Sequence, residues 1–292
     1  MSFRILSIVA ATAMIAAPAN AQQKLERGQP LDPTGAVRVY NVAGSVKVVG
    51  WNRDSIAVRG SLGKGNALHM GGSRTGVKMF VEAVDESNAA PANVEIFIPA
   101  RAKVWVKTAT ANIYVSGMTG SLDLYVVSGD IGVKGDPADV NAEAIDGSIT
   151  ITGSPGWVRA KSASGNVTFD GSSSDVTCST VSGKIDVDGT RFEKAKFESV
   201  TGSIRFAGSF ERGGLVNFDT HSGSVEIGIP AGSPADFDVV SISGAVTNKL
   251  TSTQPVHGRY GRGWELDTTS GSGGTRVVVR SFKGSVALLR RD

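Results

Sequence analysis

The chain has 292 residues, with 30 Lys and Arg against 27 Asp and Glu and a formal net charge of +3. The charges are interspersed without a basic tract, which argues against a nucleic-acid partner, because phosphate binding needs concentrated positive charge. A lone cysteine, Cys178, excludes an internal disulfide, and 37 glycines against 10 prolines point to recurring turns rather than a disordered linker.

Residues 1–21 read as an export leader. Arg4 supplies the positive start, 5–17 are apolar, and Ala19-Asn20-Ala21 offers small residues for cleavage. The apolar run is too short and too alanine-rich to favour a membrane span. The expected location is therefore outside the cytoplasmic membrane: periplasmic, cell-envelope or secreted. Without disulfides, such a chain must be held by packing and backbone ladders. Residues 22–36 are expected as a flexible segment and 37–292 as one domain.

The domain opens with Val37, Val39, Val42, Gly44, Val46, Val48 and Gly50. Residues 56–58, 77–84 and 94–98 read as strands, with a Gly-rich loop over 60–76. Val104, Val106, Ala109, Ala111, Ile113, Val115 and Gly117 then repeat the opening pattern, and the chain becomes periodic. SGDIGVKG, DGSITITG, SGNVTFDG, SGKIDVDG and TGSIRFAG follow in series. Their leading glycines, Gly129, Gly147, Gly165, Gly183 and Gly202, are 18, 18, 18 and 19 residues apart, and Gly223 and Gly244 follow at intervals of 21. A fixed short period means that one small unit is stacked many times.

Each unit reads as strand, corner, strand, turn. Ile131, Ile149, Val167, Ile185 and Ile204 stand two residues after the leading glycine. Val133, Ile151, Phe169, Val187 and Phe206 stand four after, with polar residues between. This alternation is a β-strand with one wet face. Upstream, Leu122, Val140, Val158 and Val176, then Leu124, Ala142, Ala160 and Cys178, mark a second strand. Ser162, Thr180, Ser199, Thr220 and Ser241 form an inward hydroxyl column, expected to ladder near the corner. Val127, Ile145, Ala163, Val181, Val200 and Ile242 are counted with the core as an apolar corner. The second glycine, as at Gly135, Gly153 and Gly171, is expected to supply a positive φ. Trp264, Leu266 and Gly271 fit half a unit, and Val277, Val279, Phe282, Gly284, Val286 and Leu288 a last one. Arg290-Arg291-Asp292 is expected to discourage end-to-end stacking through that last unit.

The fold class implied is all-β: a single-chain parallel β-solenoid (β-helix) of about ten rungs, each with two short strands, at 18–21 residues per rung. At roughly 4.8 Å per rung this is a rod on the order of 50 Å long. Six-residue left-handed rungs do not fit, because the apolar positions do not recur every six residues.

No reactive constellation stands out. His69, His221 and His257 lack metal-ligand spacing. His221 is expected as a packed corner residue and His257 as a solvated loop residue. Cys178 occupies an inward slot and reads as a buried thiol. No nucleophile-elbow, phosphate-loop or dinucleotide motif is present. Asp130, Asp170, Asp186 and Asp188 fall at turns or on outward positions and are expected to cap backbone groups. No catalytic, cofactor or metal residue is therefore assigned. Tyr40, Trp105 and Tyr125 face outward on strands, as does Tyr114 on the other strand of its unit. Exposed aromatics on a flat sheet stack on sugars or anchor a protein; strands from 51–98 lying over them are the competing expectation.

VRVYNVAGSVKVVGW, VEIFIPARAKVWVKTA and the serial SGDI, DGSI, SGNV and SGKI units resemble the toastrack family of β-strand-repeat proteins, whose members carry provisional adhesin names. The resemblance runs from Val37 to Leu289 and departs at Ala111, His221, Asn248 and an insertion over 251–263. It implies an exported or envelope protein with no established catalytic residues. Some members are fused to membrane segments linked to envelope-stress signalling, and this chain lacks that segment. The resulting expectation is a non-catalytic exported scaffold or adhesin-like protein contacting a protein or cell-surface glycan through its flat faces. Alternatives are a carbohydrate-active β-helix enzyme, and an envelope-stress module acting on a membrane sensor.

Overall fold

The computed structural model describes residues 23–258 and 261–291. The leader assigned to 1–21 lies outside the described residues. Everything regular in the described chain is β: 25 strands, joined in one mixed sheet around a single apolar core. No helix of the described residues is long and apolar enough to cross a membrane.

The middle of the chain follows the repeat. Leu122–Val126 runs parallel to Asp139–Ala144, which runs parallel to Trp157–Ser162 and then Asp175–Thr180. On the other side of each corner, Ile131, Ile149, Val167, Ile185, Ile204 and Val225 lie opposite one another in successive strands. All six are buried. Alternation dictates this: inward side chains stack on their equivalents one coil away, and each inward Val or Ile contributes roughly 1.5–3 kcal/mol on burial.

Glycine sets how closely the turns approach. A β-carbon on Gly147 would run into the carbonyl oxygen of Gly129, and one on Gly165 into that of Gly147. The second glycine takes a positive φ at Gly135, Gly153, Gly171 and Gly208, as expected, but not at Gly189, for which the same was expected and where the strand runs on through the turn. Ser162, Thr180 and Ser241 of the inward hydroxyl column bond the turns rather than one another, whereas the buried Ser199 and Thr220 hydroxyls bond neither. Ser162 Oγ donates to the Gly147 carbonyl at 2.8 Å and accepts the Gly165 N–H at 2.9 Å. Thr180 does the same one coil on.

Where the period lengthens, the strands Ile185–Ser199 and Ile204–Thr220 run through the turn, with register shifts around Phe192. Arg191 takes φ 62° there. This turns Phe192 inward against Phe169, Phe197 and Phe206 at ring distances of 5.9, 6.3 and 5.7 Å.

A uniformly parallel solenoid stacked in sequence order does not describe the two ends. Coil 276–291 is not outermost. Val277 lies between Val216 and Phe237, and Val286 between Val225 and Val246. The last strands of the chain thus sit inside coil 235–248. Arg291, expected to guard an end, pairs with Asp188 at 2.9 Å. Trp264–Ser270, expected as half a parallel unit, runs antiparallel along Ala235–Ser241 and closes that end. The other end is built likewise. Ala36–Asn41 lies between Gly76–Glu82 and Lys103–Thr108, and Gly44–Trp51 between Ala92–Pro99 and Asn112–Ser116. The expected loop over 60–76 contains the strand Ala67–Ser73, antiparallel to Gly76–Glu82. Residues 22–36, expected to be flexible, contain Gln23–Pro30, antiparallel to Ser55–Leu62, which covers Ala92–Pro99.

Candidate functional site

The outward aromatics converge at the N-terminal end of the face formed by the first strand of each coil. Register alone assembles them. Across four neighbouring strands one row reads Phe80, Tyr40, Lys107, Tyr125, and the row two residues away reads Lys78, Arg38, Trp105, Asp123. The Tyr40 and Trp105 rings meet at 4.8 Å with a tilt of 59°. Such a pair is worth roughly 0.5–1.5 kcal/mol beyond its burial. Lys78 Nζ lies 5.3 Å from the Tyr40 centroid and 5.9 Å from that of Phe80, and Lys107 Nζ lies 5.2 Å from that of Tyr125. Contacts of this kind give about 0.5–1 kcal/mol in water. They keep the ammonium groups on the platform without neutralising them. Lys78, Arg38 and Lys107 form no ion pair among the described residues.

Tyr40, Trp105 and Tyr125 are half-buried. The strand Gly76–Glu82 lies beside Tyr40 rather than over it. Next to the rings is a groove of about 730 Å³ whose lining includes Tyr40, Phe80, Lys78, Lys107, Glu86 and Val127. Phe80, whose ring stacks on His69 at 4.7 Å, and the two lysines are absent from the sequence reading. Phe80 and Lys78 come from the segment where the repeat frame fits worst, whereas Lys107 is an outward residue of a strand that fits it. Tyr114 is exposed on the second strand of its coil and takes no part.

The corner column is not core. Val127, Ile145, Val181, Val200, Phe282 and Ile242 are between 39 and 51% exposed. With Ala163 and His221, also exposed, they form an unbroken row. Corner amides bond carbonyls one coil away, as from Ser164 to Ile145, Thr201 to Val181, Lys283 to His221 and Ser243 to Phe282. His221, expected to be packed, instead stacks its exposed ring on Phe282 at 5.0 Å. The corner residue, two before the leading glycine, sits at a bend. The residue before it, Val126 and Ala144 as much as Ser162 and Thr180, is turned inward and buried, so the corner side chain points out.

The aspartates are engaged separately. Asp130 Oδ1 accepts the Ser148 N–H at 2.9 Å. Asp186 takes Lys184 and Arg205, both at 2.8 Å. Burial works to raise its pKa, and those two partners more than reverse the shift. Asp188 holds Arg291, and Asp170 lies beside Asp188 in register. Cys178 is wholly buried, and burial pushes its thiol up to about 12. No group of three or more His, Cys, Asp or Glu among the described residues is placed to hold a metal ion.

A family model, Toastrack DUF4097, matches residues 20–288. The chain belongs to the toastrack family. Its likeness to solved structures is shallower. A Bacteroides fragilis protein provisionally named an adhesin shares 8% identity over 92% of this chain and 99% of its own, with a TM-score of 0.45. A Parabacteroides distasonis protein provisionally named an adhesin shares 11% over 92% and 98%, with a TM-score of 0.48. Another from that organism, provisionally named lipid-binding, shares 13% over 91% and 96%, with a TM-score of 0.45. No protein of curated function matches this toastrack chain.

Proposed function

We propose that this toastrack chain is an exported, non-catalytic, adhesin-like protein whose central coils act as a rigid β-solenoid, and that it holds an acidic glycan on the Tyr40–Trp105–Tyr125 platform. The observation that carries the reading is a flat checkerboard of four aromatic rings and three cations with no carboxylate paired to them. Sugar rings stack on aromatic faces, and a uronate carboxylate pairs with Lys or Arg. Strands roughly 4.8 Å apart offer repeated contacts to an extended polymer. Bound lysines would leave the ring faces for the carboxylates and bare the rings for stacking.

The test is equilibrium titration with polygalacturonate, with dextran as the neutral control, followed by analysis of the polymer for cleavage. Expected is salt-sensitive binding of polygalacturonate alone, weakened at least tenfold by Trp105→Ala or by Lys78→Ala/Lys107→Ala, with the polymer intact. Equal binding of both polymers, or no effect of these substitutions, refutes the platform. Shortened polymer refutes the non-catalytic reading.

A further inference from the structure

The exposed corner row has a chemistry of its own. In spatial order it reads Val127, Ile145, Ala163, Val181, Val200, His221, Phe282, Ile242. Eight coils at roughly 4.8 Å make a strip on the order of 35 Å long. Contiguous apolar surface of this extent marks an interaction site. A partner must be equally straight, apolar along the same line and spaced by the same repeat. A second copy of the chain meets all three conditions.

We infer that two copies pair ridge to ridge, antiparallel, about a two-fold axis that passes between Val181 and Val200. The charges flanking the ridge select this arrangement. On the flank two residues before the ridge, the successive coils carry Tyr125, Glu143, Lys161, Ser179, Glu198, Asp219, Arg280 and Val240. On the flank just after it they carry Ser128, Asp146, Ser164, Ser182, Thr201, Ser222, Lys283 and Ser243. The axis sets Val181 against the partner's Val200. It also sets Lys161 against the partner's Asp219, Glu143 against the partner's Arg280, and Asp146 against the partner's Lys283. No like charges meet.

Other pairings fail this test. Sliding by one coil puts Glu143 opposite the partner's Asp219, or Lys161 opposite the partner's Arg280. A parallel pairing puts Glu143 opposite the partner's Asp146 and Arg280 opposite the partner's Lys283. Like charges placed together exclude such registers.

Two further observations agree. Glu143, Lys161 and Asp219 have no ion-pair partner within the described chain, whereas Arg280 already holds Asp238 at 2.6 Å. Asp219 is raised from its ordinary value by burial and by Glu198, an effect that Lys196 and Arg280 only partly offset, and the partner's Lys161 adds a further cation opposite it. Beside the ridge, a groove of about 510 Å³ lined by Val200, Asp219, His221, Ile242, Arg280 and Phe282 leaves room for side chains from the second copy. With flanks about six residues wide, or ~20 Å, the strip covers on the order of 700 Å² per partner, near the ~800 Å² of a standard interface. The two-fold leaves both aromatic platforms on one face of the dimer, so an extended polymer meets two sites.

Sedimentation equilibrium of the purified protein at micromolar concentration reads the molar mass. A dimer is expected, and Val181→Lys/Val200→Lys is expected to be monomeric with an unchanged circular dichroism spectrum and melting midpoint. Lys161→Glu is expected to raise the dimer dissociation constant at least tenfold, and adding Asp219→Lys to restore it. A monomeric wild type overturns the proposal, as does a Val181→Lys/Val200→Lys protein that remains dimeric or a charge swap that restores nothing. A short uronate oligosaccharide is expected to bind the monomeric Val181→Lys/Val200→Lys protein and to lose that binding on Trp105→Ala, a residue off the ridge flanks, so failure of the dimer and failure of the platform are read separately.

Discussion

Ile149 and Thr150 are neighbours in sequence with opposite environments. Ile149 is fully buried, in register between Ile131 and Val167. Thr150 faces solvent between Gly132 and Thr168. Ile149→Ala removes three carbons, about 2.4 kcal/mol of transfer free energy. The stacked coils above and below cannot collapse into the space, and the residual cavity brings the cost to roughly 3–4 kcal/mol. For a chain of this size that lowers the melting midpoint by about 6–16 °C. Thr150→Ala is expected to stay within about 0.5 kcal/mol of wild type. Ile149→Asp, an unpaired buried carboxylate, is expected not to fold, while Thr150→Asp folds. Thermal melts followed by circular dichroism and guanidinium titrations both read the difference. Equal midpoints for the two alanine variants would show that side chains do not stack coil on coil as described.

Gly147→Ala must displace backbone, whereas Gly132→Ala meets only the movable ring of Tyr114 at 3.1 Å. Melting is expected to fall by several degrees for the first and by much less for the second, and the reverse order would count against close-packed turns. Asp238 is held below the usual carboxylate range by its hydrogen bonds from Arg280. Its contribution is therefore complete above about pH 4 and is lost as the pH falls through the lowered value. Arg280→Gln is expected to flatten that acid limb of the stability profile; an unchanged limb assigns it to other carboxylates. Cys178 is expected to resist iodoacetamide at pH 8 in the native protein and to react once unfolded in guanidinium. Labelling of the native protein at the unfolded rate would contradict its buried place.

The strand pattern is legible because inward positions alternate along each strand from Leu122 to Ile227, broken only at the corners, the turns and the bulge around Phe192. The glycine spacing, too, is a direct imprint of backbone contact between turns. Stacking order was not legible. The same apolar pattern occurs in 235–248 and 276–291, and nothing local distinguishes an outer coil from an inner one. The segment between the two, which follows the insertion with Trp264–Ser270, carries the antiparallel strand that closes the end. The corner was misread because Val and Ile there look like core. Only the bend geometry, with the residue just before it turned inward, sends them out. Phe192 was hidden for a related reason: a bulge puts it off the repeat, where alternation assigns it no face. Tyr40, Trp105 and Tyr125 were visible as outward residues. Their partners Lys78 and Phe80 came from a segment whose strand was expected but whose neighbour was not.

Because coil 276–291 lies between two others, the layer at 235–248 rests on residues far from it in the chain. Val246 and Asn248 bond through Val286 and Leu288 to the rest of the stack. Removing coil 276–291 would pull a middle course from the wall and leave a gap beneath its coping.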